Sequence, residues 1–170
     1  NMIGSVLMWD VARQKVIGKP LQNAGPGDRR IISLTFSPDG QYLLTANRGT
    51  GSLSIVDRKR QETVSEWEVG RSLVHLTQLS DNRLLGLDSA QNEAILLRRV
   101  DSQLTELDRV PLPYSPVRAA LSPDGSQIVI SCVWPRKLVR LKLDGDQLSA
   151  DQELVMPFAP REVLFEPAGQ

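Results

Sequence analysis

The sequence predicts an all-β protein made of β-propeller blades of four antiparallel strands, with about three complete blades and a partial blade at either end. Three observations carry that prediction. A turn motif recurs at near-constant spacing, the segments between turns are apolar or alternating over strand lengths, and no stretch shows the 3.6-residue apolar stripe of a helix. The turn is Phe36-Ser-Pro-Asp-Gly40, repeated as Leu121-Ser-Pro-Asp-Gly125, with weaker copies at Leu79-Ser-Asp-Asn-Arg83 and Phe165-Glu-Pro-Ala-Gly169. Its second positions, Ser37, Ser80, Ser122 and Glu166, lie 43, 42 and 44 residues apart. A unit of that length holding four short strands is one blade. A β-sandwich is the competing all-β architecture, and the regularity of the spacing argues against it.

Each unit reads in the same order. The first strand is expected at 31–36, 73–79, 117–121 and 162–165, just before the turn. In the turn, proline pre-sets φ, while aspartate and glycine satisfy the backbone and accept positive φ. Second strands follow at 41–46, 83–88 and 127–132, and third strands at 53–57, 94–99 and 138–143. The fourth strands, 62–69, 104–110 and 148–156, are more polar, and Thr63-Val-Ser-Glu-Trp-Glu-Val69 alternates as a half-solvated edge should. Ahead of the first whole unit, 5–10 and 15–21 read as a third and a fourth strand. The chain thus divides into a partial blade 1–24, blades 31–70, 73–112 and 117–157, and the start of another at 161–170. The whole span 1–170 is expected to be one segment of a larger ring, with the remaining blades of that ring as its neighbours.

Composition narrows the function classes. Hydrophobic residues are 41% and charged residues 24% of 170, the balance of a globular chain with a core. Lys+Arg and Asp+Glu are 20 each, so nothing supports a nucleic-acid partner, which needs a positive excess. No apolar run approaches the roughly 18 residues that would span a bilayer. Residues 1–8 lack the basic region and apolar core of a secretory signal, which would have to lie upstream. The single cysteine, Cys132, excludes an internal disulfide and any multi-cysteine metal site, and its apolar surroundings read as those of a buried small hydrophobe.

The motifs add a family resemblance. Ser5-Val-Leu-Met-Trp-Asp-Val-Ala12 followed by Lys15-Val-Ile-Gly-Lys-Pro-Leu21 resembles the end of a WD40 blade. Thr45-Ala-Asn-Arg-Gly-Thr-Gly-Ser-Leu-Ser-Ile-Val-Asp57 is similar to the signature of YVTN-type propellers. The second unit keeps only the shape of that loop in Leu87-Asp-Ser-Ala-Gln-Asn-Glu-Ala94, and the third departs further in Cys132-Val-Trp-Pro-Arg-Lys-Leu138. The resemblance implies a repeat protein used for interaction. The YVTN type implies an extracytoplasmic location, in the periplasm or at the cell surface, and the WD40 type a cytoplasmic one. Some bacterial relatives sit beside cytochrome c modules or quinoprotein dehydrogenases, but this chain has no Cys-x-x-Cys-His to hold a haem.

No catalytic constellation is visible. The sequence shows no Gly-x-Ser-x-Gly elbow, phosphate-cradling glycine loop or paired carboxylates. The only histidine, His75, falls on a first strand and has no companion ligands, so it reads as a structural residue. Gly49-Thr-Gly51 is a strand-to-strand turn, and Asp144-Gly-Asp146 reads as a hairpin and not a calcium loop. No cofactor is expected. The remaining signal is positional. Loops after second strands and loops between blades emerge at one end, gathering Arg29, Arg30, Asn47, Arg48, Arg71, Asn92, Tyr114, Trp134, Arg136, Lys137 and Arg161. Arginine and aromatic side chains are common interface anchors, so Arg48, Arg71, Tyr114, Trp134, Arg136 and Arg161 are the candidate contacts for an acidic protein surface or an anionic ligand. Trp134 is expected to pack on the adjacent blade. The expectation is a non-catalytic binding scaffold; the alternative is the propeller portion of a redox protein whose cofactor site lies elsewhere.

Overall fold

The structure is a computed structural model that describes residues 5–22 and 30–166. Every regular element among them is a strand. The partial blade is the hairpin β1 (Ser5–Asp10) and β2 (Lys15–Gln22). Blade 1 is β3 (Ile31–Phe36), β4 (Tyr42–Asn47), β5 (Ser52–Asp57) and β6 (Glu62–Glu68). Blade 2 is β7 (Leu73–Gln78), β8 (Arg83–Asp88), β9 (Glu93–Val100) and β10 (Gln103–Pro111). Blade 3 is β11 (Pro116–Leu121), β12 (Gln127–Cys132), β13 (Lys137–Asp144) and β14 (Gln147–Val155). Each blade is a simple antiparallel meander. All these strands agree with the sequence expectation to within one residue at each end. The exception is 162–165, which is not in a sheet. A strand exists by its ladder, and no partner strand for this segment is among the described residues. It is held instead by an ion pair from Glu162 to Arg118 of β11 at 3.2 Å.

The turns after the first strands show why the motif recurs. Ser37 Oγ donates to Asp39 Oδ1 at 2.5 Å and accepts Tyr42 N–H at 2.9 Å, while Gln41 N–H reaches the same carboxylate at 2.9 Å. Ser122, Asp124 and Gln127 repeat that pattern. The serine hydroxyl, then the backbone amides, hold Asp39 and Asp124 below the usual carboxylate range. The second unit replaces this with a shorter turn. Asp81 and Asn82 both take positive φ (55° and 57°), the signature of a type I′ hairpin.

Two aliphatic layers hold the three blades together. Period-2 alternation sends successive residues of a strand to opposite faces, so an inner blade is apolar on both. Leu44, Ala46, Leu53 and Ile55 of blade 1 pack against Leu84, Ile95 and Leu97 of blade 2. The other face of blade 2, Leu85, Leu87, Ala94 and Leu96, packs against Ile128, Ile130, Val139 and Leu141 of blade 3. Every residue of β8 is therefore buried. The equivalent forward face of blade 3 changes character to Val129, Ser131, Leu138 and Arg140. There Ser131 Oγ is buried with no hydrogen-bond partner among the described residues, and Arg140 Nε pairs with Asp151 at 2.6 Å.

Hydrogen bonds stitch the innermost strands at one repeat length. Leu76 N–H donates to Ser33 Oγ at 3.1 Å, 43 residues away. His75 Nε2 lies 3.2 Å from the Ala119 carbonyl, 44 residues on, and 2.8 Å from Thr77 Oγ1. Arg118 meets Glu162 after another 44. Outer latches complement them. Arg109, held above its ordinary pKa by Glu106 and then Glu93, also donates to the Val69 carbonyl of blade 1 at 2.8 Å. Leu148 N–H of blade 3 donates to Asp108 Oδ2 of blade 2 at 2.6 Å. The crossing from blade 1 to blade 2 is closed by a buried carboxylate. Asp88 accepts from the amides of Arg71, Ala90 and Gln91 at 2.5, 2.8 and 3.0 Å.

Two predictions follow from these seams. A Cβ on Gly70 would come within 2.2 Å of Asp88 Oδ2, whereas one on Gly125 would meet nothing within 4 Å. Gly70→Ala should therefore lose about 2 kcal/mol or more in urea unfolding by overpacking. Gly125→Ala carries only left-handed backbone strain of about 1 kcal/mol; a Gly70→Ala loss no larger than that would refute the latch. The second concerns His75, whose pKa burial lowers, with Arg118 adding to the effect and the Ala119 carbonyl and Glu162 opposing it. A folded pKa below the unfolded value, about 6.5, gives stability that is complete above that pH and is lost as pH falls through the folded pKa. The urea midpoint should drop between pH 7 and pH 5, and His75→Gln should flatten that drop. An unchanged slope in the variant would contradict it.

Candidate functional site

In each meander the loop after the second strand and the crossing to the next blade share one end. The structure ties these loops together in order through their backbones. Arg48 N–H donates to the Arg30 carbonyl at 3.0 Å, Ser89 N–H to Ser72 at 3.0 Å, and Leu112 N–H to Asn92 at 2.7 Å. Val133 N–H donates to Ser115 at 3.0 Å, and Met156 N–H to Arg136 at 2.7 Å. A continuous rim results, built on strands whose other residues are in the core.

Arg48, Arg71, Tyr114, Trp134, Arg136 and Arg161 all stand exposed on this rim. Among the described residues no hydrogen bond or ion pair joins any two of them. Within the same described set the side chains of Arg48, Arg71 and Arg161 have no polar partner, and Arg136 reaches only the Pro157 carbonyl at 3.5 Å. Arginines elsewhere are engaged. Arg99 lies over the Tyr42 ring and donates to the Asp101 carbonyl, Arg58 lies over Phe36, and Arg98 pairs with Asp146 at 2.6 Å.

The carboxylates of the connections, though not the basic residues, are sorted by end. Loops 48–51, 69–72, 89–92, 112–115 and 133–136 contain no aspartate or glutamate, and the crossing after blade 3 runs from Met156 into a single one, Glu162, which pairs with Arg118 at 3.2 Å. The turns at the opposite end carry Asp39, Asp81, Asp101, Asp124 and Asp146, together with Arg13, Arg58, Lys59 and Arg60. A chain of zero formal charge thus presents, among the described residues, a carboxylate-poor, arginine-bearing rim; the segment 23–29, outside the described residues, adds Asp28 to the sequence of this end. Such a rim raises the local concentration of anionic groups without net charge.

Several expectations about this end are corrected. Asn47 is fully buried, donating to Ser52 Oγ and Ser54 Oγ at 3.0 and 2.8 Å, so it belongs to an internal network and not to the rim. Trp134 does not pack on blade 2, the adjacent blade among the described residues; it is 76% exposed. Its loop turns through Arg136 at φ 53°, with Arg136 N–H closing on the Val133 carbonyl, and this throws the indole outward. Lys137 is neutralised by Glu153 at 2.6 Å. Asn92 serves the loop itself, accepting Ser115 N–H at 2.8 Å. Arg29 lies outside the described residues. Sequence reasoning missed Phe158, 82% exposed between Pro157 and Pro160; an aromatic in an aperiodic, proline-flanked crossing was its only signal.

Other chemistry is structural. No group of three or more His, Cys, Asp or Glu that could hold a metal occurs among the described residues. Burial pushes the Cys132 thiol up to about 11, which leaves it protonated and unreactive at neutral pH. Asp144 and Gln147 flank a two-residue hairpin with Gly145 at positive φ. A cavity of about 530 Å³ lined by Gly40, Gln41, Asp57, Arg58 and Lys59 lies at the turn end, away from the rim.

No family model matches this chain, and no curated protein matches its sequence. Solved structures do. A protein from Lactobacillus plantarum aligns over 90% of this chain at 15% identity and TM-score 0.78, covering 50% of that protein. Hydrazine synthase of Kuenenia stuttgartiensis aligns over 77% at 19% identity and TM-score 0.68, covering 37% of its chain. The Cps50 (Swd1) β-propeller domain of Myceliophteria thermophila aligns over 76% at 16% identity and TM-score 0.63, covering 44% of that domain. This chain spans half or less of the length of each. The shared feature is the fold: these are β-propeller blades.

Proposed function

We propose that the rim is a binding face for an acidic protein surface or an anionic ligand, and that these blades serve as a non-catalytic scaffold for it. One observation carries the reading: on a chain of zero formal charge, the described loops of one end hold one carboxylate, Glu162, which is paired with Arg118, and among the described residues the side chains of Arg48, Arg71 and Arg161 have no polar partner. Guanidinium groups recognise carboxylates and phosphates through a planar fork, and ones without an internal partner need not break a bond to do so. The exposed Tyr114 and Trp134 supply apolar anchorage beside them. In the same proposal, the open faces with Leu7, Trp9 and Leu154 are covered by the remaining blades of a larger ring.

A second reading has one specific support. Hydrazine synthase is among the similar structures, which admits blades that belong to an enzyme whose active site lies outside them. Fold alone does not decide between the two.

The test is binding to immobilised poly-L-glutamate at low salt, with two triple charge reversals compared. Arg48→Glu, Arg71→Glu and Arg161→Glu together should weaken binding roughly tenfold, from about 0.5 kcal/mol per exposed charge contact. Arg13→Glu, Lys59→Glu and Arg60→Glu, at the turn end, should change it less than about threefold. Equal losses from both triples, or no binding by the parent chain, would defeat the proposal.

A further inference from the structure

The aromatic side chains of the rim are concentrated on blade 3. Tyr114, Trp134 and Phe158 are 65%, 76% and 82% exposed, on three different loops. Those loops are fastened in sequence, Ser115 to Val133 and Arg136 to Met156, through backbone bonds of 3.0 and 2.7 Å. They are also stiff. Segments 111–116, 133–136 and 156–161 contain Pro111, Pro113, Pro116, Pro135, Pro157 and Pro160, six of the eleven prolines in the chain. Proline fixes φ and removes conformational freedom before any partner arrives. The corresponding loops of blades 1 and 2, Arg48-Gly-Thr-Gly51, Val69-Gly-Arg-Ser72 and Ser89-Ala-Gln-Asn92, hold no aromatic residue and no proline.

The three exposed rings stand on proline-bearing loops and belong to neither of the two core layers among the described residues. Held in place, they bind with little further loss of entropy. Arg136 and Arg161 stand on the same loops without a carboxylate partner, while the neighbouring Lys137 is neutralised by Glu153.

Building on the loop-face reading, we propose that this part of blade 3 is a preformed dock for an extended acidic peptide segment that carries aromatic or proline residues. Its rings lie against Tyr114, Trp134 and Phe158, and its carboxylates are held by Arg136 and Arg161. An extended chain suits rings carried singly on three different loops, with the arginines on two of the same loops. Single-stranded nucleic acid also stacks on aromatics, but it requires a basic track along its backbone. A chain with equal acidic and basic counts, and with Glu66, Glu68 and Glu153 on its outer strands, does not offer one.

The test is fluorescence anisotropy with four labelled twelve-residue probes: a repeated Glu-Tyr-Glu-Pro peptide, a Glu/Gly peptide, a Gln-Tyr-Gln-Pro peptide and a dodecathymidylate. The Glu-Tyr-Glu-Pro peptide should bind roughly tenfold more tightly than each of the others. Tyr114→Ser, Trp134→Ser and Phe158→Ser should each weaken that binding about fivefold or more while leaving the Glu/Gly peptide unaffected. The three side chains are exposed, so the variants should keep the parent thermal midpoint. Equal binding of the Glu/Gly and Glu-Tyr-Glu-Pro peptides would overturn the aromatic dock and leave the anionic rim standing. No binding by either acidic peptide would overturn both. Tightest binding by the thymidylate would replace the peptide with nucleic acid and likewise overturn the proposal.

Discussion

Everything in this molecule depends on burying both faces of a four-stranded sheet. A single blade has two apolar faces and cannot fold to advantage alone, because its strands alternate side chains between them. Blade 2 shows the solution, with Leu84, Ile95 and Leu97 turned to one neighbour and Leu85, Leu87 and Leu96 to the other. The sheets supply most of the backbone bonding, and the layers between sheets supply the hydrophobic term that orients successive blades. Polar latches then fix the register. Those between the innermost strands, and the one from β11 to Glu162, join residues 43 or 44 apart, so the length of the sequence repeat reappears as the step between hydrogen-bonded neighbours.

That arrangement explains how one end becomes free for binding. Strand ends must be connected somewhere, and loop backbones bond to one another across the rim, which leaves arginine and aromatic side chains unoccupied. The turn end is different. There Ser37 with Asp39, and Ser122 with Asp124, use their side chains to close tight turns, and Arg83 and Arg98 tie blade 2 to the blade 3 hairpin through the Gly145 carbonyl and Asp146. The same residue classes thus act as structural ties at one end and as available contacts at the other. The forward face of blade 3, where Arg140 and the unpartnered Ser131 replace aliphatic residues, marks a seam of different chemistry from the two described between blades.

The strands were legible in the sequence because alternation and the Ser-Pro-Asp-Gly turn are local signals that the tertiary structure does not override. The rim was legible as a place, since meander topology alone sorts loops to ends. Its surface was less so. Asn47 looked like a loop residue, but Ser52 and Ser54 on the paired strand draw it inside, a contact visible only once the β4–β5 register is known. Trp134 looked like a packing residue, but positive φ at Arg136 directs the loop away from the core. Phe158 follows a fourth strand in an aperiodic crossing, where no period marks a residue as in or out. The His75–Ala119 and Arg109–Val69 links span 44 and 40 residues and have no local signature at all.

The central claim is that blades are held by shared aliphatic layers, with the doubly packed blade 2 as the keystone. Native-state hydrogen exchange followed by mass spectrometry tests this most directly. The account predicts the slowest exchange at β8 and β9, and predicts that truncating Leu85 to Ala speeds exchange in β12 of blade 3 along with blade 2. Faster exchange confined to blade 2, or slower exchange in blade 3 than in blade 2 of the parent chain, would show that the blades are independent units and contradict the account.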